Sequence, residues 1–183
     1  RMIIDGKAIA GEIREKLARA VRSFSTPPKL AIVVLGENPV IESFVRIKKR
    51  VGEALGITVI ERRFSENTSA ETLLSAIREL AEDRTIAGII IQLPLPAHFE
   101  AQKLLDAVPT EKDVDMLSTE SMARFRKGVS PILPPVAGAI QEILERNQVS
   151  VAGKDVLIIG RGRLVGAPAE LLLRHNNAHV TVV

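Results

Sequence analysis

One stretch near the end of the chain restricts the possible folds more than any other, because it alternates apolar, glycine-rich and helix-forming segments. An apolar run over 156–159 leads into a glycine turn over 160–166, with the sequence GRGRLVG. A helix-forming segment follows at 169–174, and a second β-rich run follows at 179–183. This order predicts a parallel strand–helix–strand unit. In such units the turn directs backbone N–H groups at the helix N-terminus towards a phosphate.

The glycines of this turn leave two interpretations open. Their spacing is GxGxxxG, one residue longer than the common nucleotide-binding pattern GxGxxG. A tight turn between a strand and a helix in any α/β protein would also use glycines here. Arg161 and Arg163 add positive charge where a phosphate would lie, so a nucleotide site is the favoured interpretation.

Three runs earlier in the chain predict the strands of a parallel sheet. They lie at 29–35, 57–64 and 86–92, and the first and third are almost continuously apolar, as in strands buried on both faces. A short additional strand is predicted at 2–5. Helices are predicted between the strands: an apolar stripe over 7–24, a helix over 39–55, and a helix from a capping box at Thr68 and Glu71 to about residue 82. This alternation predicts an α/β fold with a parallel, three-layer N-terminal domain.

A proline-rich segment marks the predicted boundary between two domains. The sequence GVSPILPP over 128–135 is typical of a break between folded units. We predict a first domain over 1–135 and the start of a Rossmann-type dinucleotide-binding domain over 136–183, opening with a helix at 136–146. One strand–helix–strand unit cannot cover its own sheet, so the second domain is expected to be truncated.

The composition excludes several classes of partner. The formal net charge of +3 and the 3% of aromatic residues, with no Trp or Tyr, argue against a nucleic-acid surface. The chain has no cysteine, and it contains neither an apolar stretch of membrane-spanning length nor a signal-peptide pattern in its first 25 residues. We therefore expect a cytoplasmic protein that binds neither nucleic acid nor membrane. Its three histidines are scattered, and no GxSxG, HExxH or P-loop motif is present.

The helix over 39–55 contains the most informative residue of the chain. Asn38 is a good N-cap and Gly56 a good stop signal. One side of this helix is predicted to form an apolar seam that contains a single lysine, Lys48. The seam consists of Ile41, Phe44, Lys48, Val51 and Leu55. A lysine held against apolar surface loses hydration, which favours its neutral, proton-accepting form. The alternative is that its long stem reaches water from the edge of the stripe.

Gln92 directly follows the third buried strand, in the sequence QLPLP over 92–96. Ligand sites in parallel α/β sheets lie at the carboxyl ends of strands, which is where Gln92 falls. The two prolines fix the path of the chain as it leaves the strand. The alternative is a structural role in which the Gln92 amide binds the local backbone.

Two aspartates follow in the loop KDVD over 112–115. Asp113 or Asp115 would cap a helix that begins near Ser118, which the pattern alone favours. A carboxylate here could instead grip a planar, N–H-rich ring edge by paired hydrogen bonds. The nearby His98 has no ligand spacing to the pair, so no metal site is predicted.

These segments together resemble the bifunctional methylenetetrahydrofolate dehydrogenase/methenyltetrahydrofolate cyclohydrolase family over essentially the whole chain. Five landmarks occur in the family's order: IIDGKAIA at 3–10, GENP and FVRIKK within 36–49, QLPLP at 92–96, PTEKDVD at 109–115, and GRGRLVGAP at 160–168. Family members continue well past the second Rossmann strand, so the resemblance also indicates that this chain lacks a C-terminal part.

The resemblance implies two linked reactions and a set of roles. The first reaction passes a hydride from 5,10-methylenetetrahydrofolate to NADP, with NAD not excluded, and the second hydrolyses the methenyl product to 10-formyltetrahydrofolate. Lys48 falls on the catalytic lysine and Gln92 on the glutamine that orients it, while Phe44 and Asp115 fall on folate-binding positions. The cofactor positions are Gly160, Arg161, Gly162, Arg163, Val165 and Gly166. The family also implies a homodimer.

Four positions depart from the family's pattern. Phe44 replaces a tyrosine, Met116 the glycine after KDVD, and Gly162 a serine, while the usual CTP-like turn is Pro134-Pro135-Val136 here. These changes remove hydroxyl groups and add one bulky side chain, but they leave Lys48 and Gln92 in place. Two alternatives to the bifunctional enzyme therefore stay open: an enzyme with one of the activities, and a folate- or nucleotide-binding protein without catalysis. A nucleic-acid-binding module, suggested only by the basic run over 46–50, is the weakest alternative.

Overall fold

The computed structural model describes residues 3–183. They pack as two compact units: unit 1 ends at Asp113, and unit 2 runs over Val114–Val183. This division falls earlier in the chain than the domain boundary predicted near residue 135. Packing alone thus places the proline-rich segment over 128–135 inside unit 2, and the boundary at 135 stays a prediction.

Unit 1 alternates helices with three strands. Its elements are α1 (Gly6–Val21), β1 (Lys29–Leu35), α2 (Pro39–Leu55), β2 (Thr58–Phe64), α3 (Ala70–Glu82), β3 (Ile86–Ile91) and α4 (Ala101–Leu105). The strands form a parallel sheet in the order β2-β1-β3, with Lys29 paired to Thr58 on one side and Leu30 to Gly88 on the other. The predicted parallel α/β fold is confirmed.

The central strand explains why its sequence is a continuous apolar run. In β1, four consecutive residues, Ala31 to Val34, are 0% exposed. A strand covered on both faces needs apolar side chains at successive positions rather than at alternate ones. Its carboxyl end lies beside that of β3, at the edge of the sheet where Gln92 follows β3.

Local differences from the sequence predictions have simple causes. Residues 3–5 form no strand, and Met2 of the predicted strand over 2–5 lies outside the described residues. The capping box at Thr68 was wrong by one residue, because Ser69 Oγ accepts the hydrogen bond from Thr72 N. Helix α4 was missed, since five residues are too few to show a helical period.

A charged network on the surface of unit 1 joins α2 to the edge strand β2. Arg63 binds Glu42 at 2.6 Å and Glu61 at 2.6 Å, and Lys49 binds Glu61 at 2.9 Å. The hydrogen bonds to Lys49 and Arg63 lower the pKa of Glu61, and the hydrogen bond to Arg63 lowers the pKa of Glu42. Exposed pairs stabilise little individually, but this network fixes both halves of α2 to the same strand.

Unit 2 contains three helices and a two-stranded parallel sheet. Its elements are α5 (Thr119–Arg126), α6 (Pro135–Arg146), β4 (Asp155–Ile158), α7 (Gly166–His175) and β5 (His179–Val182). The strands pair in parallel from Asp155↔His179 to Ile158↔Val182. The predicted strand–helix–strand unit is therefore present, with its helix beginning at Gly166 rather than at 169.

Unit 2 has two small apolar clusters. In the first, Met116, Phe125, Ala137 and Leu172 are all buried and in contact. Met116 adopts a φ of 57°, a left-handed conformation that favours glycine. The second cluster, of Leu173, Ala178 and Val180, lies against the sheet residues Val156, Ile158 and Val182.

Over residues 3–183, no helix is long and apolar enough to cross a membrane.

Candidate active site

Unit 1 brings together two of the predicted site residues, Lys48 and Gln92. Lys48 lies at the start of the second half of α2, and Gln92 follows the last residue of β3. The Lys48 Nζ donates a hydrogen bond to Gln92 Oε1 at 3.0 Å. Gln92 N donates to the carbonyl of Val33 on the neighbouring strand β1, which fixes its backbone at the sheet edge. The pair therefore lies where parallel sheets place their ligand sites.

The Gln92 amide makes the local backbone contact that one interpretation of its sequence position predicted, and it also contacts Lys48. Its Nε2 donates to the carbonyl of Leu93 at 2.9 Å, so the amide does bind the local backbone. That bond turns Oε1 towards Lys48. Since Gln92 is 7% exposed, the pair is largely shielded from water on the glutamine side. A neutral amide oxygen can accept a hydrogen bond from an ammonium group, but it stabilises the positive charge of that group less than a carboxylate would.

The buried face of α2 differs from the predicted seam at one position. Ile41, Val45, Gly52 and Leu55 are buried, and Lys48 lies on the same stripe by its helical spacing. Phe44, a predicted seam residue, is instead 53% exposed. The helix is rotated so that Val45, rather than Phe44, faces the sheet.

This rotation leaves an exposed apolar strip beside Lys48. Val40, Phe44 and Ile47 are 60%, 53% and 45% exposed. Phe44 lies one helical turn before Lys48, so its ring shares that side of α2 with the amine. An exposed aromatic ring next to a partly buried amine is suited to a ligand with a flat aromatic portion. The sequence seam had given Val40 no role.

The two aspartates of the KDVD loop have different surroundings. Asp113, in unit 1, is 4% exposed and forms a parallel bridge with Ile89 of β3. Asp115, in unit 2, is partly buried and immediately precedes the buried Met116. The predicted capping role was wrong for both, because Ser118 itself caps α5 by accepting from Ser121 N at 3.2 Å. Across residues 3–183, no three His, Asp or Glu side chains are grouped as metal ligands would be.

The glycine turn between β4 and α7 depends on two of its glycines. Gly160 has a φ of 100°, and a Cβ on Gly166 would collide with the Gly160 carbonyl and stand 3.1 Å from Arg161 Cα. Gly162 has open space around its Cα. Only Gly160 and Gly166 are therefore required by the backbone itself.

Hydrogen bonds within the turn reduce the number of backbone N–H groups that remain available to a ligand. Val165 N and Ala167 N both donate to the Gly162 carbonyl, at 3.2 and 3.1 Å. Arg161 Nη2 donates to Val182 O at 3.2 Å, so this guanidinium also binds β5, while Arg163 is exposed. Among the described residues, no side chain caps the N-terminus of α7. The end of the helix thus keeps its partial positive charge for a ligand.

The fold and these residues define a two-unit α/β protein that has a lysine–glutamine pair at a sheet edge and a Rossmann-type glycine turn. A family model described as the catalytic domain of tetrahydrofolate dehydrogenase/cyclohydrolase matches residues 4–115, and a model of the NAD(P)-binding domain of the same enzymes matches residues 134–183. The chain belongs to the tetrahydrofolate dehydrogenase/cyclohydrolase family.

Similar proteins agree with this assignment. The bifunctional protein FolD of Methanospirillum hungatei is 38% identical over 181 residues, which cover 99% of this chain and 65% of that protein. The crystal structure of FolD from Campylobacter jejuni superposes with a TM-score of 0.93 at 30% identity, covering 97% of this chain and 64% of that one. The Trypanosoma brucei enzyme, complexed with NADP and an inhibitor, gives a TM-score of 0.92 at 31% identity and covers 100% of this chain and 64% of its own. The chain thus spans just under two thirds of the length of these relatives.

Proposed function

We propose that this chain oxidises 5,10-methylenetetrahydrofolate with NADP and hydrolyses the resulting methenyl cation to 10-formyltetrahydrofolate. The observation that carries the proposal is the hydrogen bond between Lys48 Nζ and Gln92 Oε1 at the carboxyl end of β3. Family membership supplies the substrate class, and the relatives named as bifunctional support both activities.

Lys48 is the proposed proton acceptor of the hydrolytic step. Water attacks the amidinium carbon of the methenyl group and passes one proton to the neutral amine of Lys48. The carbon–nitrogen bond at N5 of the substrate then breaks, N5 recovers a proton, and the carbonyl stays on N10 as a formyl group. The cationic substrate would disfavour the ammonium form of Lys48, and the hydrogen bond to Gln92 Oε1 at 3.0 Å holds the amine at the sheet edge.

Phe44 and Asp115 are proposed to hold the substrate. The half-exposed Phe44 ring would stack on the aminobenzoyl portion of the folate, as a phenylalanine can without the hydroxyl of the usual tyrosine. The Asp115 carboxylate would accept paired hydrogen bonds from the amino-pyrimidine edge of the pterin.

The glycine turn fits a dinucleotide. The collision that a Cβ on Gly166 would cause and the uncapped N-terminus of α7 together leave a close-packed, positively polarised surface for a phosphate. Gly160, Gly162, Val165 and Gly166 would line it, with Arg161 and Arg163 adding charge. NADP, when bound, supplies the hydride acceptor of the first reaction.

The hydrolytic step gives the sharpest test, because it requires no cofactor. Lys48→Met is expected to abolish hydrolysis of methenyltetrahydrofolate, followed by the loss of its near-ultraviolet absorbance, while calorimetric binding of tetrahydrofolate persists. The matched control is Lys49→Met, which removes the neighbouring lysine from its ion pair with Glu61 and should leave hydrolysis within about twofold. An unchanged rate in Lys48→Met would refute the proposed role.

A single-activity enzyme is the second candidate, and Met116 favours it. A bulky, buried residue follows Asp115 directly and holds the backbone in a conformation that suits glycine. Separate assays of hydride transfer and hydrolysis decide between the candidates, and equal competence in both would exclude this one. A binding protein without catalysis would show folate binding and no turnover in either assay.

The assembly and location of the protein are also proposals. We propose a cytoplasmic homodimer that binds neither nucleic acid nor membrane, as the family resemblance and the modest charge of +3 suggest. Sedimentation equilibrium would test the dimer, and a monomer at micromolar concentration would contradict it.

A further inference from the structure

The side chain of Lys112 links the KDVD loop to the end of helix α3. Its Nζ donates to three backbone carbonyls, those of Ala81 at 2.6 Å, Asp83 at 2.8 Å and Leu80 at 3.4 Å. An ammonium group has three N–H donors, and here each has an acceptor within reach. The sequence pattern points to the aspartates of this loop and predicts no role for Lys112.

The end of α3 has a particular need for this cation. The last carbonyls of a helix lack intrahelical partners and carry its partial negative charge. The last turn of α3, ELAE, contains no cation, and the C-cap Asp83 has an extended backbone rather than the left-handed glycine that often closes a helix. The Asp83 carboxylate accepts from Thr85 N at 2.8 Å, on the far side of the turn. Lys112 therefore completes a helix end that its own sequence leaves open.

The backbone of Lys112 is fixed as well. Ile89 N donates to Lys112 O at 2.8 Å, and Ile89 and Asp113 form a parallel bridge. Ile89 lies on β3, three residues before Gln92, which follows the end of that strand. The side chain and backbone of Lys112, together with the bridge at Asp113, attach the chain to α3 and β3 just before Asp115.

We infer that Lys112 is a positioning residue for Asp115, an inference that rests on the proposed role of Asp115 in folate binding. Lys112 touches no reacting atom in this assignment. It fixes the point at which the segment carrying Asp115 leaves unit 1. A carboxylate that accepts paired hydrogen bonds from a planar ring edge needs a defined distance and angle to that edge. A shift of the preceding loop residues would displace the carboxylate and weaken both hydrogen bonds at once.

The test combines Lys112→Met with Asp115→Asn in a double-mutant cycle, with tetrahydrofolate as the calorimetric probe. Methionine keeps the length of the lysine stem but donates no hydrogen bond. In the wild-type background we expect Lys112→Met to weaken binding by about tenfold or more. In the Asp115→Asn background the same change should have less than about a twofold effect, because the contact that Lys112 positions is already lost.

Lys29→Met is the matched control. Lys29 Nζ donates to Thr85 Oγ1 at 3.1 Å, so this variant removes a lysine hydrogen bond near the same helix end but leaves the KDVD loop untouched. We expect a similar or smaller loss of thermal stability than in Lys112→Met and an unchanged affinity for tetrahydrofolate. Lys112→Arg keeps the positive charge, but its planar guanidinium does not match three carbonyl oxygens arranged around a single nitrogen. Its affinity for tetrahydrofolate should therefore lie between that of the wild type and that of Lys112→Met. This variant also replaces Lys112→Met in the cycle if the methionine variant does not fold.

Each outcome is decisive. Equal weakening in both backgrounds would make Lys112 a merely structural residue, and unchanged affinity in Lys112→Met would also overturn the inference. If the wild-type chain fails to bind tetrahydrofolate, the proposed function itself falls and the inference with it. Binding that depends on Lys112 only when Asp115 is present supports both.

Discussion

Met116 departs from the family's glycine, and its side chain and backbone make opposing contributions to stability. Its φ of 57° lies in the left-handed region, which costs a non-glycine residue about 1–2 kcal/mol. Its side chain is 2% exposed and packs with Phe125, Ala137 and Leu172. Replacing Met116 by alanine and by glycine separates the two contributions.

The expected order of the free energies of unfolding of the two variants and the wild type follows from the sizes of these contributions. Truncating a buried methionine to alanine costs about 2–5 kcal/mol, and alanine keeps the strained φ. A further change to glycine ordinarily costs about 0.5–1 kcal/mol in an element interior. At this φ, however, glycine relieves about 1–2 kcal/mol. We therefore expect Met116→Gly to be about 1 kcal/mol more stable than Met116→Ala, and both to be less stable than the wild type.

Urea unfolding followed by far-ultraviolet circular dichroism measures this order. The chain contains no Trp or Tyr, so intrinsic fluorescence is unsuitable. Thermal unfolding should show the same order, with about 2–4 °C for each kcal/mol in a chain of this size. If the two units unfold in separate steps, amide hydrogen exchange over 114–183 identifies the step that belongs to unit 2.

Gln148 provides the control for the backbone contribution alone. Its φ is 54°, but its side chain is exposed, so Gln148→Gly relieves the strain without loss of a packed side chain. This variant should be more stable than the wild type by about 1 kcal/mol. The reasoning fails if Met116→Ala proves more stable than Met116→Gly, or if Met116→Gly exceeds the wild type.

Three further predictions concern the surface network, the glycine turn and the lysine pair. The hydrogen bond from Lys49 lowers the folded-state pKa of Glu61 below 4.5, so its contribution to stability is present above about pH 4.5 and is lost as the pH falls below that value. Glu61→Gln should therefore flatten the acid side of a plot of melting temperature against pH, and an unchanged slope would contradict this. Gly166→Ala should abolish calorimetric NADP binding, because its Cβ would collide with the turn, and binding at wild-type affinity would exclude the proposed cofactor surface. Gln92→Glu should slow hydrolysis at neutral pH by roughly tenfold or more, because a carboxylate would favour the charged form of Lys48. A pH–rate profile checks this, since activity should recover at higher pH.

The elements with strong local signals could be predicted from the sequence. Strand β1 is buried on both faces, so its run of apolar residues has few alternatives. Helix α2 starts at the predicted N-cap, with Asn38 Oδ1 accepting from Val40 N at 2.9 Å, and ends at Gly56 with a φ of 83°. In both cases short-range chemistry and burial favour the same conformation.

The orientation of α2 about its own axis was less predictable. Phe44 and Val45 are adjacent apolar residues, and either could belong to a stripe of period 3.6. Packing against the sheet buries Val45 to 1% exposure and leaves Phe44 half exposed. Lys48 lies on the same stripe in both registers, so the error at Phe44 leaves the predicted position of Lys48 on the helix unchanged.

Contacts between distant segments could not be predicted from pattern at all. Lys48 and Gln92 are 44 positions apart, and their contact depends on how α2 crosses the end of β3. Family resemblance linked the two residues where the sequence pattern did not. Lys112 reaches carbonyls about 30 positions earlier in the chain, and a lysine beside two aspartates gives no sign that its partner is a helix end.

The surroundings of Gln92 explain how it holds the Lys48 amine at the sheet edge. Its backbone N–H donates to the Val33 carbonyl of β1, and its Nε2 donates to the Leu93 carbonyl at 2.9 Å. These two bonds orient the side chain so that Oε1 accepts from Lys48 Nζ at 3.0 Å. The two prolines of QLPLP then restrict the path of the chain immediately after the glutamine. The segment that holds the glutamine therefore also helps to set the position of the amine.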